Sequence, residues 1–329
     1  MILNHRKITF FFLILMILFF ALSPCHAKKN TAKELEKAQA LLAKGDYDNA
    51  FQAYHQFAVE KENPVAQFTM GLFFQLGWGR PVDEAKACKW FEKAGNNGIP
   101  AATHFFADCL NKGVGTDPDP GKAAKWYKRS ASLGYHMSLC SLAELYMAGS
   151  GVPKDPDKAL ELCRQAADRR VIPAQIRLAR FLMDKNSGRQ DLKRAFEWFS
   201  MAADMEAPEA QYYLGIMLCD GLGRQKDPET ARFWFEKSAV KGYEKAYFPL
   251  GELYFNAPRD PENGMLPAAD LAKSYLWVSA GKRQVSDADG QKQAELLLKK
   301  ILEIMPETWK ADLDLKVDAH FKSFPPHQP

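Results

Sequence analysis

Residues 210–242, AQYYLGIMLCDGLGRQKDPETARFWFEKSAVKG, hold the pattern that decides the fold. The first half places apolar and small residues at helical spacing, and Gly221 and Gly223 end that helix because glycine adopts positive φ without strain. Asp227 and Pro228 then begin a second helix, as N-cap and first helical residue. The stretch predicts two helices and a tight turn, a hairpin too small to bury its own apolar face.

The same residue types recur every 36 residues, so neighbouring hairpins can supply the missing burial. Small residues at two of these sites predict the close approach of a neighbouring backbone. The recurring positions are a first small site (Ala66, Ala102, Ser138, Ala174, Ala210, Ala246), a second small site (Gly71, Ala107, Ala143, Ala179, Gly215, Gly251), an N-cap site (Asp83, Asp119, Asp155, Asp191, Asp227) and an aromatic site (Trp90, Trp126, Leu162, Trp198, Trp234).

The run A-x-x-x-L-G-x-x-x-x-x-G-x-G, followed by D-P, A-x-x-W-[YF] and a small pair before glycine, resembles the Sel-one-like repeat. That repeat is a variant of the tetratricopeptide repeat with a longer turn, and the resemblance covers roughly residues 65–283. It implies an all-α, right-handed α-solenoid of antiparallel helix hairpins. For function it implies a non-enzymatic protein-binding scaffold or adaptor, in envelope or secretion complexes, signalling or host interaction. The alternatives are an envelope small-ligand binder for cell-wall fragments, an envelope enzyme, and a purely structural oligomer.

The repeats define the expected domains. Two repeats depart from the pattern: the third has Arg170 in place of its last glycine, and the fourth lacks the paired glycines, so we expect a differently shaped turn at 186–190. The expected divisions are a signal peptide (1–27), a tetratricopeptide-like capping repeat (28–64), five Sel-one-like repeats (65–245), an expanded sixth repeat (246–283), C-terminal capping helices (284–322) and a disordered tail (323–329).

The N-terminal segment predicts export to the periplasm or beyond. A short basic start at 4–7 precedes an apolar run at 8–22, and 25–27 offer a cleavage site. The run is shorter than the roughly 20 residues that cross a bilayer. An uncleaved anchor and a lipid-modified Cys25 are the alternatives. After cleavage we expect no integral membrane segment, and the formal charge of +4 says little about partners.

Five cysteines remain after cleavage, an odd number that leaves at least one unpaired within the chain. Cys109 lies at a site filled elsewhere by large apolar residues, which predicts a buried small hydrophobic side chain. Cys140 and Cys163 lie nearly opposite each other across the third hairpin. We therefore hypothesise a disulfide between Cys140 and Cys163.

Residue patterns typical of chemistry are missing from the sequence. The histidines are scattered, and neither C-x-x-C nor H-E-x-x-H occurs, so we expect no metal and no cofactor. Ser150 lies in G-S-G without a base nearby, and the repeated aspartates are interpreted as helix caps. No basic face is apparent that would favour a nucleic-acid partner. The sequence predicts a protein that is not an enzyme.

Binding in tetratricopeptide solenoids clusters at a few first-helix positions on the concave face. Carried over by the resemblance, they predict contacts to a protein or peptide whose identity the sequence does not give. Many are apolar or aromatic, which predicts either an exposed interaction strip or side chains buried against one another. The predicted binding residues are Phe68, Leu72, His104, Asp108, Glu144, Met147, Ile176, Arg180, Met183, Tyr212, Ile216, Phe248, Glu252 and Phe255.

Overall fold

The structure is a computed structural model that describes residues 29–324, and this part of the chain contains sixteen α-helices and no strand. The predicted signal peptide and residues 325–329 lie outside the described residues. No helix within 29–324 combines the length and the apolarity needed to span a bilayer. The helices are α1 (Lys29–Ala43), α2 (Tyr47–Glu60), α3 (Pro64–Leu76), α4 (Glu84–Asn96), α5 (Pro100–Lys112), α6 (Pro120–Ser132), α7 (Met137–Ala148), α8 (Pro156–Ala167), α9 (Ile172–Met183), α10 (Leu192–Asp204), α11 (Pro208–Asp220), α12 (Pro228–Val240), α13 (Tyr247–Phe255), α14 (Ala268–Gln284), α15 (Ala288–Ile304) and α16 (Lys310–Ser323).

The helices form two compact units, the first ending at Ala174 and the second beginning at Gln175. In the first unit each helix from α1 to α8 packs on the next one, so the hairpins stack in chain order. In the second unit α10 to α15 also pack successively, and α16 lies on α14. The fold class is an all-α solenoid of helix hairpins, as the repeat spacing predicted.

The recurring aspartates cap the second helix of each of the five Sel-one-like repeats, which confirms their predicted role. In each case a side-chain oxygen accepts a hydrogen bond from the backbone N–H three residues later, at 2.8 to 3.0 Å. This satisfies one of the donors that a helix start leaves unpaired. The capping residues are Asp83, Asp119, Asp155, Asp191 and Asp227.

In two repeats, an aromatic ring packs against the second small site, where a neighbouring backbone was predicted. A Cβ added to Gly71 would lie 2.3 Å from the ring of Phe91, and one added to Gly215 would lie 2.6 Å from the ring of Phe235. These glycines admit an aromatic ring and not a backbone. At Gly251 the backbone does approach, since a Cβ there would lie 2.8 Å from the amide nitrogen of Val278.

The two irregular repeats keep the backbone shape without its usual residue. Arg170 and Glu206 replace the last glycine of their repeats and still adopt left-handed φ angles of 59° and 61°. The turn after α9 contains the short 3-10 segment Lys185–Ser187, followed by Gly188. The turn geometry is therefore imposed by the repeat and not only by local residue preference.

The C-terminal helices form a cap over the last hairpin. On α16, Leu313 and Val317 are buried, and Asp318 pairs with Arg283 of α14 at 2.6 Å. Helix α16 includes Ser323, the first residue of the segment that was predicted to be a disordered tail. The ring of Phe324 lies against that of His320, with centroids 5.2 Å apart.

Candidate functional site

The predicted binding residues differ widely in exposure. Large hydrophobic residues with high exposure lie at other positions, so the described chain shows no continuous exposed apolar strip along the predicted ones. The charged members are the most accessible. Phe68, Leu72, His104 and Ile176 are buried; Asp108, Met147, Met183, Tyr212, Ile216, Phe248 and Phe255 are half-buried; Glu144, Arg180 and Glu252 are exposed.

In the first unit, His104 belongs to a buried polar network that the sequence analysis missed. Its Nδ1 lies 2.9 Å from the Ser138 hydroxyl, and its Nε2 lies 3.6 Å from the Asp108 carboxylate. Tyr127 donates a hydrogen bond to the same carboxylate. The network joins residues from α5, α6 and α7, which no spacing rule within one repeat would connect.

The set of Asp108, His104 and Ser138 has the residue types of a hydrolytic triad, but its hydrogen bonds run the wrong way. Ser138 donates to Ser130 at 2.7 Å, and Ser130 donates to the Pro100 carbonyl at 2.8 Å. Ser138 therefore accepts a hydrogen bond from the Nδ1–H group of His104, whereas a nucleophilic serine must donate one to its base. Ser138 is also fully buried. The network is suited to holding three helices together.

In the second unit, three half-buried tyrosines form an aromatic cluster. The ring centroid of Tyr212 lies 5.2 Å from that of Tyr213 and 5.4 Å from that of Tyr243. Tyr213 also stacks on Phe199 at 4.8 Å. Within residues 29–324, none of the three tyrosine hydroxyls forms a hydrogen bond with a protein group. The cluster thus combines rigid aromatic surface with polar groups that are free to bind.

A pair of opposite charges lies beside this tyrosine cluster. Arg180 of α9 and Glu209 of α11 lie 3.8 Å apart, and their side chains are 55% and 36% exposed. Burial raises the pKa of all three tyrosines, and Glu209 adds to the rise for Tyr213 and Tyr243. The phenols therefore stay neutral at physiological pH and can donate hydrogen bonds. Sequence reasoning identified Tyr212 and Arg180 but missed Tyr213 and Tyr243.

Four cysteines form two disulfides, one within a hairpin and one between consecutive hairpins. Cys140 and Cys163 are joined by an S–S bond of 2.06 Å. Cys109 was expected to be a free buried residue, but it is bonded to Cys88. The expectation was wrong because α4 and α5 bring the two cysteines to a Cα separation of 5.9 Å, within disulfide range.

Cys219 is the unpaired cysteine of the described residues. Burial, with the carboxylates of Asp220 and Glu252 nearby, raises the pKa of its thiol to about 11. The thiol is therefore protonated at neutral pH, and a protonated thiol is a poor nucleophile and metal ligand. Among residues 29–324, no group of His, Cys, Asp and Glu has a metal-binding arrangement.

The predicted positions in the last hairpin are covered by the chain itself. Phe248 and Phe255 pack against the apolar cluster formed by α14, α15 and α16, which includes Leu271 and Ile301. Glu252, one turn away on α13, stays exposed. Among these three residues, only Glu252 is freely accessible.

Solved structures with similar folds are repeat proteins. A Sel1 repeat protein from Oxalobacter formigenes is 24% identical, with 76% of this chain and 99% of that chain covered and a TM-score of 0.62. A protective antigen of uropathogenic Escherichia coli strains, described as displaying an SLR fold, is 23% identical over 84% of this chain, with a TM-score of 0.64. The match spans 57% of the antigen's length. These identities support the fold alone.

Family comparison gives the same assignment at the level of sequence. No curated protein matches the chain significantly. The Sel1 repeat profile matches five segments, which together make up just over half of the chain: 64–99, 100–135, 136–170, 172–206 and 208–243. These segments coincide with the hairpins from α3 to α12. The chain belongs to the Sel1 repeat family.

Proposed function

We propose that this protein is an exported, non-enzymatic scaffold that binds a protein or peptide partner at the tyrosine cluster of its second unit. Sel1 repeat solenoids are generally protein-interaction scaffolds. The partner docks against Tyr212, Tyr213 and Tyr243, and the adjacent Arg180 and Glu209 fix its orientation by charge.

The unpaired tyrosine hydroxyls are the observation that carries this proposal. Tyrosine is enriched among residues that dominate binding energy, because it offers a large rigid apolar ring and a polar tip. The rings of this cluster are held by one another and by Phe199, so little side-chain entropy is lost on binding. A solvated Arg–Glu pair beside such a cluster contributes specificity and association rate.

The two disulfides support the export part of the proposal. Disulfides persist in the periplasm and outside the cell and are rare in a reducing cytosol. Both bonds lie in the first unit, where Cys140–Cys163 joins the two helices of one hairpin and Cys88–Cys109 joins consecutive hairpins. The N-terminal apolar run provides the corresponding export signal.

Affinity capture from the native cell envelope tests the proposal. The wild-type protein is compared with Tyr212→Ala and with Arg180→Glu, and the captured proteins are identified by mass spectrometry. We expect one or more specific partners with the wild type and a loss of those same partners with both variants. Thermal melts of each variant show whether the fold is kept.

A control variant distinguishes damage to the docking surface from a general effect of changing the net charge. Arg194→Glu makes the same charge change on α10, where Arg194 pairs with its own cap Asp191 at 3.5 Å. It should retain the partners. Equal capture by wild type, Tyr212→Ala and Arg180→Glu would contradict the proposal. A rise in melting temperature with cell-wall fragments, without any captured protein, would instead support the small-ligand alternative.

A further inference from the structure

A basic surface, the basic ladder, runs along the outer faces of α4 and α6 in the first unit. α4 and α6 are the second helices of consecutive repeats, and three pairs of equivalent positions on them carry lysine or arginine. The tryptophan of each repeat lies among these positions. This basic face was not predicted from the sequence, because its residues are divided between two repeats and the whole chain has a formal charge of only +4. The basic ladder consists of Lys86, Lys89, Lys93, Lys122, Lys125, Lys128 and Arg129.

Two contacts make the ladder a single surface. The ring of Trp126 on α6 lies close to Gly95 on α4, where an added Cβ would be 3.3 Å from the ring. Arg129 donates a hydrogen bond to the carbonyl of Asn96 at 3.1 Å. The outer face of α6 therefore continues that of α4 without a gap.

Five of the seven ladder cations form no ion pair within the described residues, although α4 also carries the exposed Glu84 and Glu92. Lys86 and Lys122 pair with the caps Asp83 and Asp119 at 2.9 and 3.0 Å. For the other five cations, the described residues provide no carboxylate within ion-pair distance. Helix α6 itself contains no acidic residue.

The ladder is specific to these two repeats. At the position of Lys89 and Lys125, the next two repeats have Glu161 and Glu197. On α8, Arg164 is paired with Glu161 at 2.8 Å. The repeat fold therefore does not require the excess positive charge. We infer that this charge serves a role other than folding.

Aromatic rings hold two of the cations in place. Lys93 lies 4.8 Å from the ring centroid of Trp90, and Arg129 lies 5.1 Å from that of Trp126. Beside Lys93, the α4 side of the ladder has a solvent-open depression of about 580 Å³ that is also lined by Lys86, Lys89, Trp90, Glu92 and Asn96. Cations beside indole rings are typical of the polar boundary of a lipid bilayer.

We propose that the basic ladder binds the surface of a membrane that contains anionic phospholipids. Charge complementarity carries the proposal: the seven ladder cations outnumber the exposed Glu84 and Glu92 of α4 and the two cap aspartates, and this excess attracts phosphate headgroups without needing a groove. The composition favours lipid over an acidic peptide. Six of the seven ladder cations are lysines, which act as flexible point charges, whereas specific recognition of peptide carboxylates or phosphates favours arginine forks.

Vesicle co-sedimentation of the full-length protein tests this proposal. Phosphatidylglycerol–phosphatidylcholine vesicles are compared with pure phosphatidylcholine vesicles at low and high salt. The wild type should bind the anionic vesicles, more weakly as salt rises. Lys89→Glu combined with Lys125→Glu should reduce the partition coefficient by about tenfold or more, because each basic residue near the bilayer contributes separately.

A second double variant controls for net charge. Lys193→Glu with Lys226→Glu makes the same charge change at exposed positions of the second unit and should change the partition coefficient by less than about twofold, because charges outside the contact are screened by salt. Circular dichroism melts confirm that both variants fold. Equal binding to both vesicle types, or equal losses in both double variants, would overturn the proposal. So would tighter binding of wild type to polyglutamate or duplex DNA than to the anionic vesicles.

Discussion

At the scale of single residues, two side chains 23 positions apart face each other inside four of the five Sel1 hairpins. In three repeats they are aromatic neighbours, whereas in the third repeat they are the bonded cysteines. The third repeat also lacks the recurring tryptophan, so the covalent bond replaces ring packing where the template is weakest. The pairs are Phe68–Phe91 at 5.8 Å, His104–Tyr127 at 5.4 Å, Tyr212–Phe235 at 5.8 Å and Cys140–Cys163.

Removing that bond should destabilise the protein strongly. Cys140→Ala with Cys163→Ala should lower the free energy of unfolding by about 3 kcal/mol, the loop-closure value for this separation. Denaturant melts under oxidising conditions measure the change. Cys219→Ala is the control and should cost less than about 1 kcal/mol, since Cys219 forms no bond. If reductant leaves the wild-type melt unchanged, the bond contributes nothing to the free energy of unfolding.

Backbone strain at the end of the third repeat can be relieved by a single change. Arg170 has a φ of 59°, a conformation that costs side-chain-bearing residues about 1–2 kcal/mol. Arg170→Gly should therefore raise the free energy of unfolding by about 1 kcal/mol, after the extra freedom of glycine in the unfolded chain is subtracted.

The reciprocal change provides the comparison. Gly98 has a φ of 85° at the equivalent position of the first Sel1 repeat, and a Cβ there would meet no neighbouring atom. Gly98→Ala should thus lose stability through φ alone, by about 1 kcal/mol. A neutral or destabilising Arg170→Gly would show that the arginine side chain offsets its strain through contacts.

At the scale of helices, local residue signals explain where each element begins and ends. The Asp-Pro starts and glycine ends were readable from the sequence because capping depends on neighbours within a few residues. The group that packs against each small residue could not be predicted from the sequence. Whether Gly71 receives a backbone or the ring of Phe91 depends on the packing angle between two helices, which composition does not encode.

The charge of one cap should appear in the pH dependence of stability. Hydrogen bonds from Thr230 lower the pKa of Asp227 below its ordinary value of 3.8. A lowered folded-state pKa contributes stability that is present above the unfolded pKa and is lost as pH falls through the folded pKa. Asp227→Ala should thus lower the melting temperature at neutral pH, and the difference should shrink as the pH falls to about 2.

Asparagine is the matched control at this cap, because its side-chain oxygen accepts the same backbone hydrogen bond without a charge. The stability of Asp227→Asn should stay above that of Asp227→Ala at acidic pH. A wild type–alanine difference that persists unchanged to the lowest pH would show that the carboxylate charge has no part in the cap.

At the scale of the whole molecule, the repeat pattern explains the fold, whereas the proposed function depends on residues that the pattern does not specify. The 36-residue register predicted the hairpins because every repeat must bury the same face. The tyrosine cluster could be predicted only in part. Tyr213 and Tyr243 lie outside the template's binding positions, and only the fold brings Tyr243 to its neighbours Tyr212 and Tyr213.

The covered end of the chain shows the same limit. Phe248 occupies a predicted binding position, but the C-terminal helices pack on it. The sequence predicted capping helices at 284–322, but no repeat pattern describes them, so it did not show that they would cover Phe248. The positions that remain available for a partner are those where charge or an unpaired hydroxyl meets solvent.

The dissociation constant of the captured partner for wild type, Tyr212→Phe and Tyr212→Ala tests the central claim most directly. We predict a loss of about thirtyfold for Tyr212→Ala, the size expected for a binding hot spot. Tyr212→Phe should show an intermediate loss, because it removes only the hydroxyl. Equal dissociation constants for all three folded proteins would contradict the account and place the binding surface away from the tyrosine cluster.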